Sequence, residues 1–354
     1  MARRVVLHIG AMKSGTSFIQ AVCDNNREVL SRHGVLFVGE KWGDQVTAVE
    51  ELIEADLESP EPFRVDGPWQ RLVAAVDAWP DTVVISMEFL APRGVPKIEF
   101  LRDAFGGADV HVVLTARDLG RNIPAMWVEL MQNRGTVTWE EFRDQIGKPW
   151  RRAEPPEHTR WFWRHQDIPG MVERWQSVMG PERFTLITVP HPGAPRDLLW
   201  TRFNEILGVP DGICDLDVSG NPSIGAIAAT LLRRLNATMQ HDQISKIAYN
   251  HRVKRTLAKE GLGSRIEDRQ TMEFKASWAR RLAKRQIADI RALRPHVIGD
   301  LAELEAVPVA GLRSVSVEAQ LEAAVEAMDI LVTKWTGEAK GLRLQLRRAR
   351  RRRA

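Results

Sequence analysis

Tyrosine and cysteine are almost missing: the 354 residues include one Tyr and two Cys. The two thiols, Cys23 and Cys214, lie far apart in the chain and suggest reduced cysteines in a cytoplasmic protein. Cys23 falls on the apolar face of the first helical pattern and reads as core. No Cys/His spacing resembles a metal site, so no metal is expected. Long hydrophobic runs are missing too. None approaches the roughly 20 residues that cross a bilayer. Met1 leads within three residues into a core-like strand, not into a leader peptide. What remains is ordinary globular material, 44% hydrophobic and 27% charged, long enough to bury a large core.

Net charge misleads here. The chain is formally +4, but residues 333–354 carry nine Lys/Arg and one Glu. Removing that +8 leaves the body at 4 − 8, or −4. The arginine tail is suited to an anionic surface, whether nucleic acid, lipid or an acidic partner. Its plainer reading, a solvated and partly helical end, is preferred.

Apolar runs at Val5–Ile9, Gly34–Val38, Thr82–Ser86 and Val110–Thr115 read as strands, with Phe184–Val189 as the last. Helical patterns separate them, among them Trp69–Trp79, Pro96–Phe105 and Gly120–Gln132. Strands apolar throughout and alternating with helices predict a parallel sheet covered by helices on both faces, an α/β fold. From residue 223 the pattern is mostly helical, at about 223–240, 242–260, 276–293 and 316–335. The expected organisation is an α/β core over 1–215, with a Trp-rich insert near 147–180. A mainly helical part packed on that core follows over 216–332, and then a basic tail over 333–354. An oligomer is compatible with the helical part.

Residues 4–20 read RVVLHIGAMKSGTSFIQ: strand, Gly- and hydroxyl-rich turn, helix. Backbone N–H groups of such a turn and the positive end of the helix suit a phosphate or sulfate. Gly10 and Gly15 permit close approach, Ser14, Thr16 and Ser17 add hydroxyls, and Lys13 adds charge. Gly10 and Gly15 have the spacing of the common phosphate loop, yet Thr16 stands where its lysine belongs. The lysine has moved into the loop, as Lys13.

Lys13-Ser14-Gly15-Thr16-Ser17 after an N-terminal apolar strand resembles the 5′-phosphosulfate loop of sulfotransferases that use 3′-phosphoadenosine 5′-phosphosulfate (PAPS). The wider run is similar to bacterial, actinobacterial-like members of that superfamily. Thr115-Ala116-Arg117-Asp118-Leu119-Gly120-Arg121-Asn122 resembles the superfamily's 3′-phosphate segment. The resemblance implies that Arg117 grips the 3′-phosphate, a job suited to a planar guanidinium. The family's serine eight residues later is Ala125 here, and Asn122 is the candidate substitute. Asn221 and Ser223, in a segment without the usual R-K-G form, either contact the cofactor or cap the next helix.

Glu88, just after the third strand, occupies the family's position for the base that takes the acceptor's proton. Ser86 beside it is expected to help orient the bridging oxygen, on which Lys13 stabilises charge. His165, read as lying on a loop among aromatic residues, is the alternative base. The resemblance implies in-line sulfuryl transfer from PAPS, leaving 3′-phosphoadenosine 5′-phosphate (PAP). The acceptor would be a hydroxyl of a saccharide, glycolipid or small natural product. Two other classes stay open. One is a phosphate-loop nucleoside-triphosphate kinase, opposed by Thr16 at the lysine position. The other is a non-catalytic nucleotide- or partner-binding module.

Overall fold

The computed structural model describes residues 2–148, 154–218, 224–265 and 270–351. The chain forms two compact units. One consists of Met1–Ile123, Gln145–Gly220 and Lys275–Pro308, the other of Pro124–Asp144, Asn221–Phe274 and Val309–Ala354.

The first unit holds a six-stranded sheet. Its strands are β1 (Arg4–Gly10), β2 (Val35–Phe37), β3 (Thr82–Ser86), β4 (Asp109–Ala116), β5 (Phe184–Thr188) and β6 (His296–Ile298), in the order β2-β3-β1-β4-β5-β6. Every pairing is parallel. Alternation along the strands sorts their side chains to two cores. Val5, Leu7, Ile9, Val83, Ile85, Val112 and Leu114 enter one; Val6, Val84, Val113 and Ile187 enter the other, beside Ile19, Cys23 and Phe203. Helices therefore cover both faces, which is why β3 and β5 are mainly apolar and buried along their whole length.

The chain moves from β1 to one side, through β2 and β3, and then crosses to β4 on the other side. The crevice at the carboxyl end of β1 is thus the switch point at which doubly wound sheets bind ligands.

Two sequence expectations change. Phe184–Val189 is not the last strand: His296–Ile298 adds a sixth at the edge, through the Thr185–His296 to Ile187–Ile298 register. Three residues between Pro295 and Gly299 give too little alternation to read. The edge is fixed instead by tertiary bonds. Arg202 Nη1 and Nη2 reach Glu303 Oε2 and Oε1 at 2.6 and 3.0 Å. Gly299, at φ +104°, lies so close to Arg202 that a Cβ would come within 2.9 Å of its guanidinium carbon.

The Trp-rich stretch is the second change. Its described part forms the helices Glu157–Gln166 and Ile168–Met179, joined at Asp167, whose side chain accepts from the Gly170 amide. Thr159, Phe162, His165 and Gln166, at helical spacing, make the buried face of the first. The second pins the turn after β3. Trp175 Nε1 donates to the Ala91 carbonyl at 3.0 Å, and Arg174 Nε to the Arg93 carbonyl at 3.1 Å.

The second unit is helical, built on Ala226–Thr238, the wide-wound π-type helix Asn250–Leu262 and the long helix Val317–Arg351. The last overruns the expected 316–335. The chain's one tyrosine is buried here: the Tyr249 hydroxyl donates to Asn236 Oδ1 at 2.8 Å, and Asn236 Nδ2 donates to the Met131 and Gly135 carbonyls, each at 2.9 Å. Among the described residues, no helix is long and apolar enough to cross a membrane.

Candidate active site

The loop after β1 is built from behind. The first helix, Thr16–Asn25, has Gly15 at its N-cap, at φ +85° and with no side-chain cap bond. The Phe18 and Ile19 N–H groups both donate to the Gly15 carbonyl, at 3.0 and 3.2 Å, and the amides ahead of them, which have no intrahelical acceptor, suit an anion. A Cβ on Gly15 would collide with Leu199. A Cβ on Gly10, φ +126°, would lie 3.2 Å from both the Cα and the carbonyl oxygen of Glu88. The glycines thus let the loop press against Leu199, on the helix Leu198–Leu207, on one side and the Glu88 turn on the other.

Beneath the loop runs a chain of buried polar groups. His8 Nδ1 meets Ser86 Oγ at 2.7 Å, and His8 Nε2 meets Thr115 Oγ1 at 3.3 Å. Thr115 Oγ1 donates to the Gly10 carbonyl at 2.8 Å and lies 2.7 Å from Ser14 Oγ. Thr115 has one proton, given to Gly10, so it accepts from His8 Nε2–H, while the single Ser14 proton is shared between Thr115 and the Ala11 carbonyl. His8 Nδ1 then accepts from the Ser86 hydroxyl. This assignment requires a neutral imidazole, and burial pushes the His8 pKa down to about 3.

Two expectations are revised by this network. Ser14 is fully buried and its hydroxyl turns inward, to Thr115 and the Ala11 carbonyl, so only its backbone can face an anion. Ser86 is likewise committed to His8 and is not free to orient a bridging oxygen. Thr16 is also buried, while Ser17 is exposed and Lys13, at φ 61°, is half-buried.

From the other flank, Gln166 Nε2 donates to the Met12 carbonyl at 2.9 Å. Its Oε1 accepts from Asn122 Nδ2 at 2.7 Å. Asn122 is fully buried and acts through Gln166, behind the loop. Arg117, after β4, donates from Nη1 to the Lys13 carbonyl at 3.3 Å. Burial, and then the neighbouring Arg121, lower its pKa to about 10 against the opposite pull of Asp118. Its Nε is buried with no hydrogen-bond partner among the described residues. Asp118 is spent on Arg121, in a buried ion pair. A desolvated guanidinium at the loop with an unsatisfied donor fits an anion.

Glu88 sits on the turn after β3, tied to β1 by Met87 N–H to the His8 carbonyl and Ala91 N–H to the Ile9 carbonyl, each 2.9 Å. Its Oε2 accepts from Gln20 Nε2 at 3.1 Å. The same Gln20 nitrogen lies 3.2 Å from the Ser86 carbonyl. The loop, Glu88 and Arg117 are thereby brought together at the carboxyl ends of β1, β3 and β4.

His165 does not lie on a loop. It is on the helix Glu157–Gln166, nearly buried, with Nδ1 2.8 Å from the Trp161 carbonyl and its ring 5.3 Å from the Trp161 ring. Asn221 and Ser223 lie outside the described residues. Among the described residues, no three His, Cys, Asp or Glu side chains gather as a metal-binding group.

No family model matches this chain, and no curated protein does. Among solved structures, the sulfotransferase from Alicyclobacillus acidocaldarius is similar at 17% identity and a TM-score of 0.40, over 63% of this chain and 88% of that one.

Sequence reading missed His8, Gln20, Thr115 and Gln166. His8 and Thr115 left a signal, as polar residues near the carboxyl ends of mainly apolar strands. Gln20 and Gln166 left none, being ordinary polar positions on amphipathic helices.

Proposed function

We propose that this protein is a sulfotransferase that moves a sulfuryl group from PAPS to an acceptor hydroxyl. The observation that carries the reading is the seating of Arg117 and the Glu88 turn against one lysine-bearing loop. Arg117 bonds the Lys13 carbonyl, and the Glu88 backbone packs on Gly10. Sequence resemblance of the Lys13–Ser17 and Thr115–Asn122 segments supplies the donor's identity.

The donor, when bound, brings the sulfuryl group and a phosphate leaving group. Residues of the loop and first helical turn hold the 5′ end through backbone N–H groups, with the Ser17 hydroxyl exposed beside them. Arg117 takes the 3′-phosphate, which satisfies its buried Nε. Lys13 stabilises negative charge as it develops on the leaving oxygen. Gln20 holds Glu88 Oε2, so that the carboxylate faces the acceptor and takes its proton. Asn122, Gln166, Thr115 and His8 position the loop. The acceptor class is a saccharide, glycolipid or small natural product, and the protein acts in the cytoplasm.

Thermal denaturation tests the reading. PAP is expected to raise the melting temperature without magnesium, and ATP with magnesium to have little effect. The opposite pattern would assign the loop to a kinase, and no shift with PAP would remove the donor.

A further inference from the structure

The long helix Val317–Arg351 of the second unit has two apolar faces. One is used within its own unit. Ala323, Ala327 and Ile330 are buried there, and a Cβ on Gly261 would lie 2.8 Å from Ile330 Cδ1. The other face is uncovered. Leu321, Val325, Met328, Val332 and Trp335 are 64, 54, 58, 58 and 59% exposed. At 3.6 residues per turn the two stripes fall on nearly opposite sides of the helix.

Single exposed apolar side chains are ordinary; an ordered row is not. The exposed row advances by 4, 3, 4 and 3 residues, the spacing of a coiled-coil seam. In the sequence the same spacing runs on through Ala339, Leu342, Leu346 and Ala349. From Leu321 to Ala349 that is about four heptads, long enough to specify a two-helix seam.

We infer that this stripe is a self-association surface, covered by the same stripe of a second copy in antiparallel orientation. Charge decides both the partner and the direction. From 317 to 333 the helix carries Glu318, Glu322, Glu326 and Asp329 and no Lys or Arg. From 334 to 351 it carries Lys334, Lys340, Arg343, Arg347, Arg348, Arg350 and Arg351 against Glu338. That polarity suits the helix's own macrodipole. It also makes a parallel pair repel along its basic halves, while an antiparallel pair lays each basic half along an acidic one.

The row flanking the seam sharpens this: Glu322, Asp329, Thr336, Arg343 and Arg350 recur every seven residues. Reversal about Thr336 sets Glu322 opposite Arg350 and Asp329 opposite Arg343, twice each by two-fold symmetry. An anionic membrane would attract the basic half and repel the acidic half of the same stripe, so a second copy is the better complement. This inference is independent of the sulfuryl-transfer reading.

Sedimentation equilibrium of the full chain at micromolar concentration tests it. The expected mass is twice the 40.0 kDa of one chain. The double substitution Val325→Glu/Val332→Glu is expected to return it to 40.0 kDa with the circular dichroism spectrum unchanged, because both side chains are exposed. A monomeric parent, or a variant that stays dimeric, overturns the proposal. Orientation is read by cysteine cross-linking. Thr336→Cys is expected to link to its own copy and Leu321→Cys is not; efficient linking of Leu321→Cys would establish a parallel pair and overturn the antiparallel one. Flotation with phosphatidylglycerol vesicles covers the remaining occupant. A monomer that binds them, and loses binding in the double variant, would give the stripe to a lipid surface instead.

Discussion

The loop at Gly10–Ser17 and the turn at Glu88 meet in one crevice, yet they are held very differently. The loop is bonded from β4 through Thr115 and Arg117, from the helix Glu157–Gln166 through Gln166, and from its own Ser14. The Glu88 turn is fixed through its backbone, while a described bond to its carboxylate comes from Gln20, itself shared with the Ser86 carbonyl. A site that must hold a multiply charged donor gains from donors fixed in advance, since no reorganisation is then needed as charge shifts. A base that must follow an acceptor hydroxyl gains from a carboxylate with room to turn. On the proposed sulfuryl-transfer reading, the difference separates a rigid donor side from an adjustable acceptor side.

The sharpest test of that contrast is Lys13→Ala. Turnover is expected to fall by about 10³-fold if the ammonium stabilises the leaving oxygen, while PAP, which lacks the sulfuryl group, should lose far less affinity by calorimetry. An equal loss in both would make Lys13 a simple binding residue. Glu88→Gln probes the other side. It should lower turnover by roughly 10²- to 10³-fold and leave PAP affinity unchanged. A large drop in PAP affinity would show that the two sides are one rigid body after all. Arg117→Ala comes next. Losing a charged hydrogen-bonding partner at about 1.5–3 kcal/mol predicts roughly 10- to 100-fold weaker PAP binding. The same variant should bind adenosine 5′-phosphosulfate, which lacks the 3′-phosphate, as well as the parent does. Equal weakening of both ligands would move Arg117 from the 3′ end of the nucleotide to the loop itself.

The donor side was also the legible side. Gly10, Lys13 and Gly15 lie within six residues, and β1, β3 and β4 announce themselves as apolar runs, so local pattern carried the loop and placed Glu88 and Arg117 at strand ends. Pattern could not show which hydroxyls face inward. Ser14 and Ser17 are equivalent in sequence, and only the packing of Thr115 against the loop separates a buried support from an exposed donor. The helix Glu157–Gln166 was obscured by its tryptophans and arginines, though Thr159, Phe162 and His165 kept the spacing that buries them. β6 was illegible for another reason: its place is set by β5 and by the Arg202–Glu303 pair, more than a hundred residues apart in the chain. The asymmetry of the long helix lay open in the sequence, but its two apolar faces separated only when burial showed which one its own unit uses.

The smallest expected effect concerns what joins the two sides, the Ser86–His8–Thr115 relay beneath the crevice. His8 must be neutral to accept from Ser86 and donate to Thr115, and burial holds its folded pKa at about 3 against about 6.5 when unfolded. Between those values the unfolded chain binds more protons, so stability is lost as pH falls below about 6.5. At pH 5 the gap is about 1.5 pH units, or about 2 kcal/mol from His8. His111, pushed to about 4 chiefly by burial, acts in the same direction. Replacing His8 with Asn should therefore flatten the loss of urea stability between pH 7 and pH 5 without abolishing it. The slope is the informative quantity, because the variant is free to be less stable at every pH. An unchanged slope would mean that His8 does not titrate on unfolding, and the loop and the Glu88 turn would then be joined through backbone alone.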